Sequence, residues 1–129
     1  DYVKMQGMML QQEAPEDYTI STGQQHTVRE FVEAAAKEIG IKIHWKGKGV
    51  NEKGSWKGKD IVLIDSKYFR PTEVDTLLGD SSKAKEKLGW TPKITFHELV
   101  REMVQSDLKD AERDFLFQKK GYSTYSYYE

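Results

Sequence analysis

The clearest candidates for chemistry are an arginine and a glutamate on either side of a proline turn, Arg70 and Glu73. Pro71 fixes its own φ and moves Arg70 toward extended backbone, so the guanidinium leaves the apolar run 61–64 in a defined direction. A guanidinium makes bidentate hydrogen bonds to phosphate, and a carboxylate accepts hydrogen bonds from a ribose diol. The spacing allows a nucleotide diphosphate site, although an exposed Arg70–Glu73 ion pair is the simpler interpretation of the same turn.

Other apparent motifs lack a residue or a context that their chemistry requires. The glycines of 47–54 imitate a dinucleotide fingerprint and a P-loop, but they lead from a loop into a strand and lack the P-loop lysine. His97 to Arg101 approaches a zinc motif with arginine in place of the second histidine. His26 and His44 have no acid or nucleophile at a catalytic spacing, and no Tyr-x-x-x-Lys pair occurs. We therefore predict no catalytic, cofactor-binding or metal-binding residue in this chain.

Composition limits the class of protein. The 129 residues carry 32% charged and 37% hydrophobic side chains, a net charge of −1 and no cysteine. This balance argues against nucleic acid and membrane partners, disulfides and thiolate metal sites, and no apolar run is long enough to span a bilayer. We expect a soluble, cytoplasmic protein with one domain over 1–120, a mobile tail over 121–129, and about two thirds of the unfolded surface buried. Because the chain opens on Asp1, we also expect it to be a piece of a longer protein.

Hydrophobic periodicity predicts helices alternating with short strands. Two capping boxes, Thr27 with Glu30 and Thr95 with Glu98, mark the starts of the clearest helices. The predicted helices are 2–12, 28–39, 82–88 and a long one from Phe96; the predicted strands are 18–21, 41–45, 61–64 and 76–78, with a loop over 46–59. The run 61–64 is apolar throughout, which predicts burial on both faces. The fold class is therefore α/β, with helices packed on a small mixed sheet.

The segment around Arg70 also resembles a known family. The C-terminal signature of GDP-mannose 4,6-dehydratases, which are extended short-chain dehydrogenases, is similar to Tyr68-Phe69-Arg70-Pro71-Thr72-Glu73-Val74-Asp75, Leu78-Gly79-Asp80, Lys83-Ala84, Leu88-Gly89-Trp90 and Pro92. Upstream, the same family resembles Asp1-Tyr2-Val3, Met9-Leu10-Gln11, Thr22-Gly23 and Val28-Arg29-Glu30-Phe31. The resemblance covers nearly the whole chain except the tail, and Gly7 departs from it where the family usually has tryptophan.

The resemblance implies a role for the chain within a larger enzyme. Family members convert GDP-mannose to GDP-4-keto-6-deoxymannose by NADP-dependent internal redox and dehydration, a lyase reaction that leads to GDP-fucose or GDP-rhamnose. The resemblance assigns the diphosphate to Arg70 and the ribose to Glu73. It makes this chain the small C-terminal substrate-binding domain, with the NADP-binding Rossmann domain and the catalytic residues absent, so that the isolated chain would be inactive.

Several points stay open at this level. A loop residue among Val50, Asn51 and Glu52 is a weaker candidate for contact with guanine or the sugar. Two alternatives to an incomplete enzyme remain, a stand-alone nucleotide-binding module and a self-associating structural fragment. We expect GDP-mannose, a Rossmann domain and further copies of the chain as partners.

Overall fold

The computed structural model describes residues 1–69 and 76–124. Within them the chain forms four α-helices, one 3₁₀ turn and a three-stranded antiparallel sheet in the order β1-β2-β3. In chain order the elements are α1 (Tyr2–Met9), α2 (Val28–Glu38), β1 (His44–Lys46), the 3₁₀ turn Gly49–Asn51, β2 (Lys53–Trp56), β3 (Lys59–Leu63), α3 (Ser82–Leu88) and α4 (Phe96–Lys119). No helix in the described ranges combines the length and apolarity needed to cross a membrane.

Both predicted capping boxes are present. Thr27 accepts a hydrogen bond from the Glu30 backbone N–H at 3.1 Å, and the Glu30 carboxylate accepts one from the Thr27 backbone N–H at 2.8 Å. Thr95 and Glu98 make the same reciprocal pair at the start of α4. The bonds from Thr27 and Thr95 lower the pKa values of Glu30 and Glu98. The starts of α2 and α4 are thus decided by four-residue local patterns.

The predicted mixed sheet is wrong, because the observed sheet is entirely antiparallel. Its central strand, β2, lies inside the segment predicted to be a loop, and β2 and β3 are joined by the two-residue turn Lys57-Gly58. Both turn residues have positive φ, 49° and 77°, which is the backbone that a tight hairpin with right-handed twist requires. Asparagine or aspartate is the usual sequence signal at the first position of such a turn. This chain has Lys57 there, so the hairpin was not predicted.

The predicted burial of 61–64 on both faces is also wrong. Ile61 is 44% exposed and Leu63 is 63% exposed. β3 is an edge strand of an antiparallel sheet, so only alternate side chains reach the covered face. A register irregularity opposite Gly54 and Ser55 leaves Ile61 without a paired residue on β2.

Two further predicted strands do not form. Segments 18–21 and 76–78 have no strand assignment, although the Ser21 hydroxyl donates to the Gly79 carbonyl at 2.7 Å and joins the two regions. Helix α1 ends at Met9, three residues before its predicted end. The mobile tail stays a prediction, and its last residues, 125–129, lie outside the described ranges.

The core is small. One buried cluster comprises Met5 of α1, Ala84 of α3 and Trp90, flanked by partly buried residues that include Tyr18 and Leu88. Val100 of α4 is buried separately, on the helix that packs against α2 and is joined to it by the Arg101–Glu38 ion pair at 3.2 Å. In the described ranges, helix pairing and a three-stranded sheet therefore build the fold around very few buried side chains.

The accessible surface is correspondingly large. The chain exposes 11246 Å², whereas a compact monomer of its 14.9 kDa is expected to expose about 7,000 Å². Roughly half of the unfolded-chain surface is buried rather than the expected two thirds. Large apolar side chains contribute to this surface, among them Val3 (79% exposed), Leu10 (82%) and Leu77 (78%).

Candidate functional site

The predicted pair Arg70 and Glu73 lies outside the described residues, which stop at Phe69 and resume at Thr76. The structure does, however, show how the segment that carries the pair begins. After β3, the Asp65 carboxylate accepts the Lys67 backbone N–H at 2.8 Å, and the Asp65 carbonyl accepts the Tyr68 N–H at 3.1 Å. A hydrogen-bonded turn therefore directs the chain into the candidate segment.

The other end of that segment is anchored by a contact with a distant part of the chain. The Gly79 carbonyl accepts the Ser21 hydroxyl, and a Cβ added at Gly79 would lie 2.7 Å from the Ser21 Cβ. The next residue, Asp80, accepts hydrogen bonds from the backbone N–H and hydroxyl of Ser82, which lower the pKa of Asp80. The Asp80 side chain therefore bonds the first residue of α3, while the N-cap residue Ser81 makes no side-chain cap hydrogen bond. Ala84 of α3 reaches the buried cluster.

The weaker candidate loop is held by a different contact. Glu52 forms a short ion pair with Arg29 of α2, and this bond raises the pKa of Arg29. The Arg29 guanidinium also lies 4.6 Å from the ring centre of Trp45, whose indole N–H donates to Glu33 at 2.7 Å. The carboxylate of Glu52 therefore joins the sheet to α2 in this structure. Its neighbours Val50 and Asn51 are exposed.

A groove beside α1 was not predicted. Tyr2, Thr22, Ile94 and Leu99 line two adjoining concavities of about 320 Å³ each. The Asp1 carboxylate accepts the backbone N–H groups of Lys93 and Ile94, both at 2.8 Å, and fixes one wall. These partners are more than ninety residues apart, and no local spacing in the sequence signals their contact.

The two histidines differ in their contacts, and His26 has an acidic neighbour, Glu30, that its spacing in the sequence did not single out. His26 stacks on Phe96 with ring centres 3.8 Å apart and approaches Glu30 at 3.7 Å, and His44 lies on the exposed part of β1. Glu98 caps α4. Among residues 1–69 and 76–124 no cluster of three or more potential ligands could hold a metal ion.

The glycines of 47–54 do not fit the NADP that the resemblance implies. They lead from β1 through a 3₁₀ turn into β2, whereas a dinucleotide fingerprint leads from a strand into a helix whose N-terminus meets the pyrophosphate. A Cβ added at Gly47 would lie 2.4 Å from the Asn51 carbonyl oxygen. Gly47 is therefore required by the close approach of its own loop, and the loop offers no cradle for a pyrophosphate.

Comparison with known proteins decides the family. The family model for GDP-mannose 4,6-dehydratase matches residues 1–103. The chain belongs to the GDP-mannose 4,6-dehydratase family. The matched region contains the whole segment from Tyr68 to Trp90 that carries the resemblance.

Individual members of the family agree over most of the chain. The GDP-mannose 4,6-dehydratase of Vibrio cholerae is 52% identical over 95% of this chain and 36% of its own length. The Drosophila melanogaster relative is 59% identical over 84% of the chain and 28% of its own length, and the Homo sapiens relative is 54% identical over 84% and 30%. The chain thus spans about a third of the length of the relatives it matches.

Proposed function

We propose that this chain is the substrate-binding part of a GDP-mannose 4,6-dehydratase, a lyase of the short-chain dehydrogenase class. The observation that carries the proposal is the 52% identity to the Vibrio cholerae enzyme over 95% of the chain. On this proposal the longer protein converts GDP-mannose to GDP-4-keto-6-deoxymannose in the cytoplasm. Arg70 binds the diphosphate and Glu73 binds the ribose.

The anchored ends of the candidate segment support this assignment. The turn at Asp65 and the Ser21–Gly79 contact hold the chain on both sides of Arg70 and Glu73. Anchors of this kind limit the freedom that a binding side chain loses when it meets its ligand, so more of its interaction energy contributes to affinity. The segment also leads into α3 and the buried cluster, the best packed part of the molecule.

NADP and the groups that carry out the chemistry are proposed to belong to residues outside this chain. The loop over 47–54 does not fit a dinucleotide, and a binding surface without the cofactor and a proton-transferring group offers no route over the barrier. The isolated 129 residues are therefore expected to be inactive. The large exposed surface supports packing against a further domain, because extensive apolar area is normally covered by a partner.

The same surface favours a second candidate, a self-associating fragment. Residues such as Val3, Leu10 and Leu77 would then be covered by further copies of the chain. Self-association and an incomplete enzyme are compatible, since both follow from one uncovered surface. A stand-alone nucleotide-binding module remains the other alternative.

The decisive experiment is a chimera in which this chain replaces the matching third of the Vibrio cholerae relative. Arg70→Ala should raise the Kd for GDP-mannose about ten- to a hundredfold, the scale of a lost charged hydrogen bond, as measured by calorimetry. Arg113→Ala is the matched control, because Arg113 is exposed on α4 and pairs only with Asp110 and Asp114 in the described residues.

Three outcomes test the role of Arg70, the proposed enzyme and the alternative of a stand-alone module. An unchanged Kd in the Arg70→Ala chimera would remove Arg70 from the site. A chimera without dehydratase activity, made from a folded protein, would contradict the proposed enzyme. Binding of GDP-mannose by the isolated chain as tightly as by the chimera would favour the stand-alone module.

A further inference from the structure

The hairpin region carries a concentrated positive charge that the proposed function does not use. Residues 42–59 contain six lysines and one glutamate, a formal net charge of +5 in a chain whose total is −1. The glutamate, Glu52, is paired with Arg29 of α2. Only Lys53 among the six lysines forms a salt bridge within the described ranges, with Asp60 at 3.0 Å.

The strand register places two of these lysines side by side. Lys46 on β1 is the direct partner of Lys53 on β2. The alternate positions, Trp45 and Gly54, belong to the face toward α2, where the Trp45 indole bonds to Glu33. Lys46 and Lys53 therefore project from the open face of the sheet, and like charges directly opposite each other destabilise an antiparallel pair.

Protection of a sheet edge does not account for this pairing. Lysine on an edge strand discourages association with another sheet, which would explain Lys46 on β1. Lys53 lies on the central strand, which has neighbours on both sides. Asp60 on β3 neutralises the Lys53 ammonium, whereas Lys46 forms no salt bridge in the described ranges. An anion bound between the two lysines would therefore offset a positive charge that the sheet leaves unbalanced.

A concavity lies at this position. It has a volume of about 410 Å³ and is lined by Lys46, Gly47, Asn51, Lys53, Ser55 and Asp60. The Ser55 hydroxyl donates to the His44 carbonyl at 3.2 Å, which leaves its oxygen free to accept. The Asn51 side chain makes no hydrogen bond within the described part of the chain, so its amide N–H groups remain available as donors.

We propose that this concavity binds inorganic phosphate between the ammonium groups of Lys46 and Lys53, with the Asn51 amide as a further donor. The Asp60 carboxylate sets the selectivity. Near neutral pH, phosphate keeps at least one P–OH group, which can donate a hydrogen bond to the Asp60 carboxylate. Sulfate has no proton to donate, so its interaction with Asp60 is purely repulsive. A phosphate monoester, with a second pKa of about 6, is mostly without that proton at higher pH.

The test is a titration of the 129-residue chain with inorganic phosphate at low ionic strength. The measured quantity is the change in the ¹⁵N–¹H chemical shifts of the backbone amides. Saturable shifts are expected at Gly47, Asn51 and Ser55. Lys46→Gln should weaken phosphate binding about threefold to tenfold, the scale of one partly exposed charged contact. Lys109→Gln is the matched control, since it removes the same charge from an exposed position on α4.

Further measurements compare inorganic phosphate with other anions and distinguish this site from the proposed nucleotide site at Arg70. Sulfate and GDP should bind more weakly than inorganic phosphate at slightly alkaline pH, and Asp60→Asn should abolish the preference over sulfate. Arg70→Ala should leave phosphate binding unchanged, so this site and the proposed nucleotide site fail independently. Absence of saturable shifts at these amides, or equal weakening by Lys46→Gln and Lys109→Gln, would overturn the proposal.

Discussion

At the scale of single residues, close approach between distant segments has more influence than local propensity. Gly79 lies against Ser21, fifty-eight positions earlier in the chain, and their contact closes the region that carries the candidate segment. Gly7 lies inside α1, and a Cβ added there would meet no atom within 4 Å. The packing around Gly79 therefore requires a glycine, whereas the surroundings of Gly7 leave room for a side chain.

Substitution of these glycines should have effects of opposite sign. Gly79→Ala would place a Cβ 2.7 Å from the Ser21 Cβ and 3.0 Å from its hydroxyl oxygen, and we expect a loss of about 1–3 kcal/mol in the free energy of unfolding from overpacking. Gly7→Ala meets no atom within 4 Å and should gain about 0.5–1 kcal/mol from helix propensity. Urea denaturation monitored by circular dichroism measures both, and equal effects would contradict the described packing.

A second residue-scale prediction concerns acid stability. Lys87 and Lys83 donate to the Glu16 carboxylate at 2.7 and 3.0 Å and lower its pKa below the ordinary value of 4.5. Because the folded-state pKa is the lower one, the stabilisation is present above about pH 4.5 and is lost as the pH falls through the folded value.

The measurement is the difference in unfolding free energy between the unmodified chain and Glu16→Gln as a function of pH. The difference should be constant near neutral pH and shrink in acid. Glu13→Gln is the control, since Glu13 forms no ion pair in the described ranges. A Glu16→Gln difference that grows in acid would have the wrong sign for this ion pair.

At the scale of elements, the helices are defined locally and the sheet is not. Each capping box specifies a helix start within four residues, and Gly89 ends α3 as predicted. The three strands are three to five residues long and depend on partners across turns. β2 contains Lys53 and Gly54, neither of which favours a strand, and it forms because β1 and β3 pair with it on both sides.

The cap of α4 provides the test at this scale. Thr95→Ala removes the side chain that accepts the Glu98 N–H at 3.3 Å, and we expect a loss of about 0.5–2 kcal/mol in the free energy of unfolding. Ser106→Ala, in the exposed interior of the same helix, should cause no loss because alanine is the better helix former. Thermal or urea denaturation compares the two variants. If Thr95→Ala costs no more than Ser106→Ala, the cap does not contribute to stability.

At the scale of the whole molecule, the dominant feature is uncovered surface. The 11246 Å² of accessible area exceeds the expectation for a compact monomer by more than half, and four hydrophobic residues are fully buried in the described ranges. The apolar area buried in a small core compensates for little of the conformational entropy that the chain loses on folding. The isolated chain should therefore be marginally stable and prone to association.

Sedimentation velocity over a wide concentration range tests this expectation. The weight-average sedimentation coefficient should rise with concentration, because exposed apolar area seeks a partner. The double variant Val3→Lys with Leu10→Lys, which places charge on two of the most exposed apolar positions of the α1 region, should reduce the rise. Glu13→Lys alone, which changes the net charge by the same +2, is the control for added positive charge in that region. A monomer at every concentration would contradict the inference from surface area.

The sequence by itself determined the family and the helices. Three local patterns can be recognised without coordinates, because each depends on residues close together in the sequence. They are the capping boxes, the 3.6-residue periodicity of α2 and α4, and the motif from Tyr68 to Trp90. The candidate pair Arg70 and Glu73 came from that motif and stays a prediction.

Only the tertiary structure decided the sheet, the groove and the proximity of the hairpin lysines. An antiparallel strand is stabilised by residues across a turn, and the Asp1 and Ser21 contacts join segments far apart in the chain. Lys46 and Lys53 face each other because the hairpin sets their register. Such contacts depend on which segments meet on folding, and no spacing within one segment encodes them.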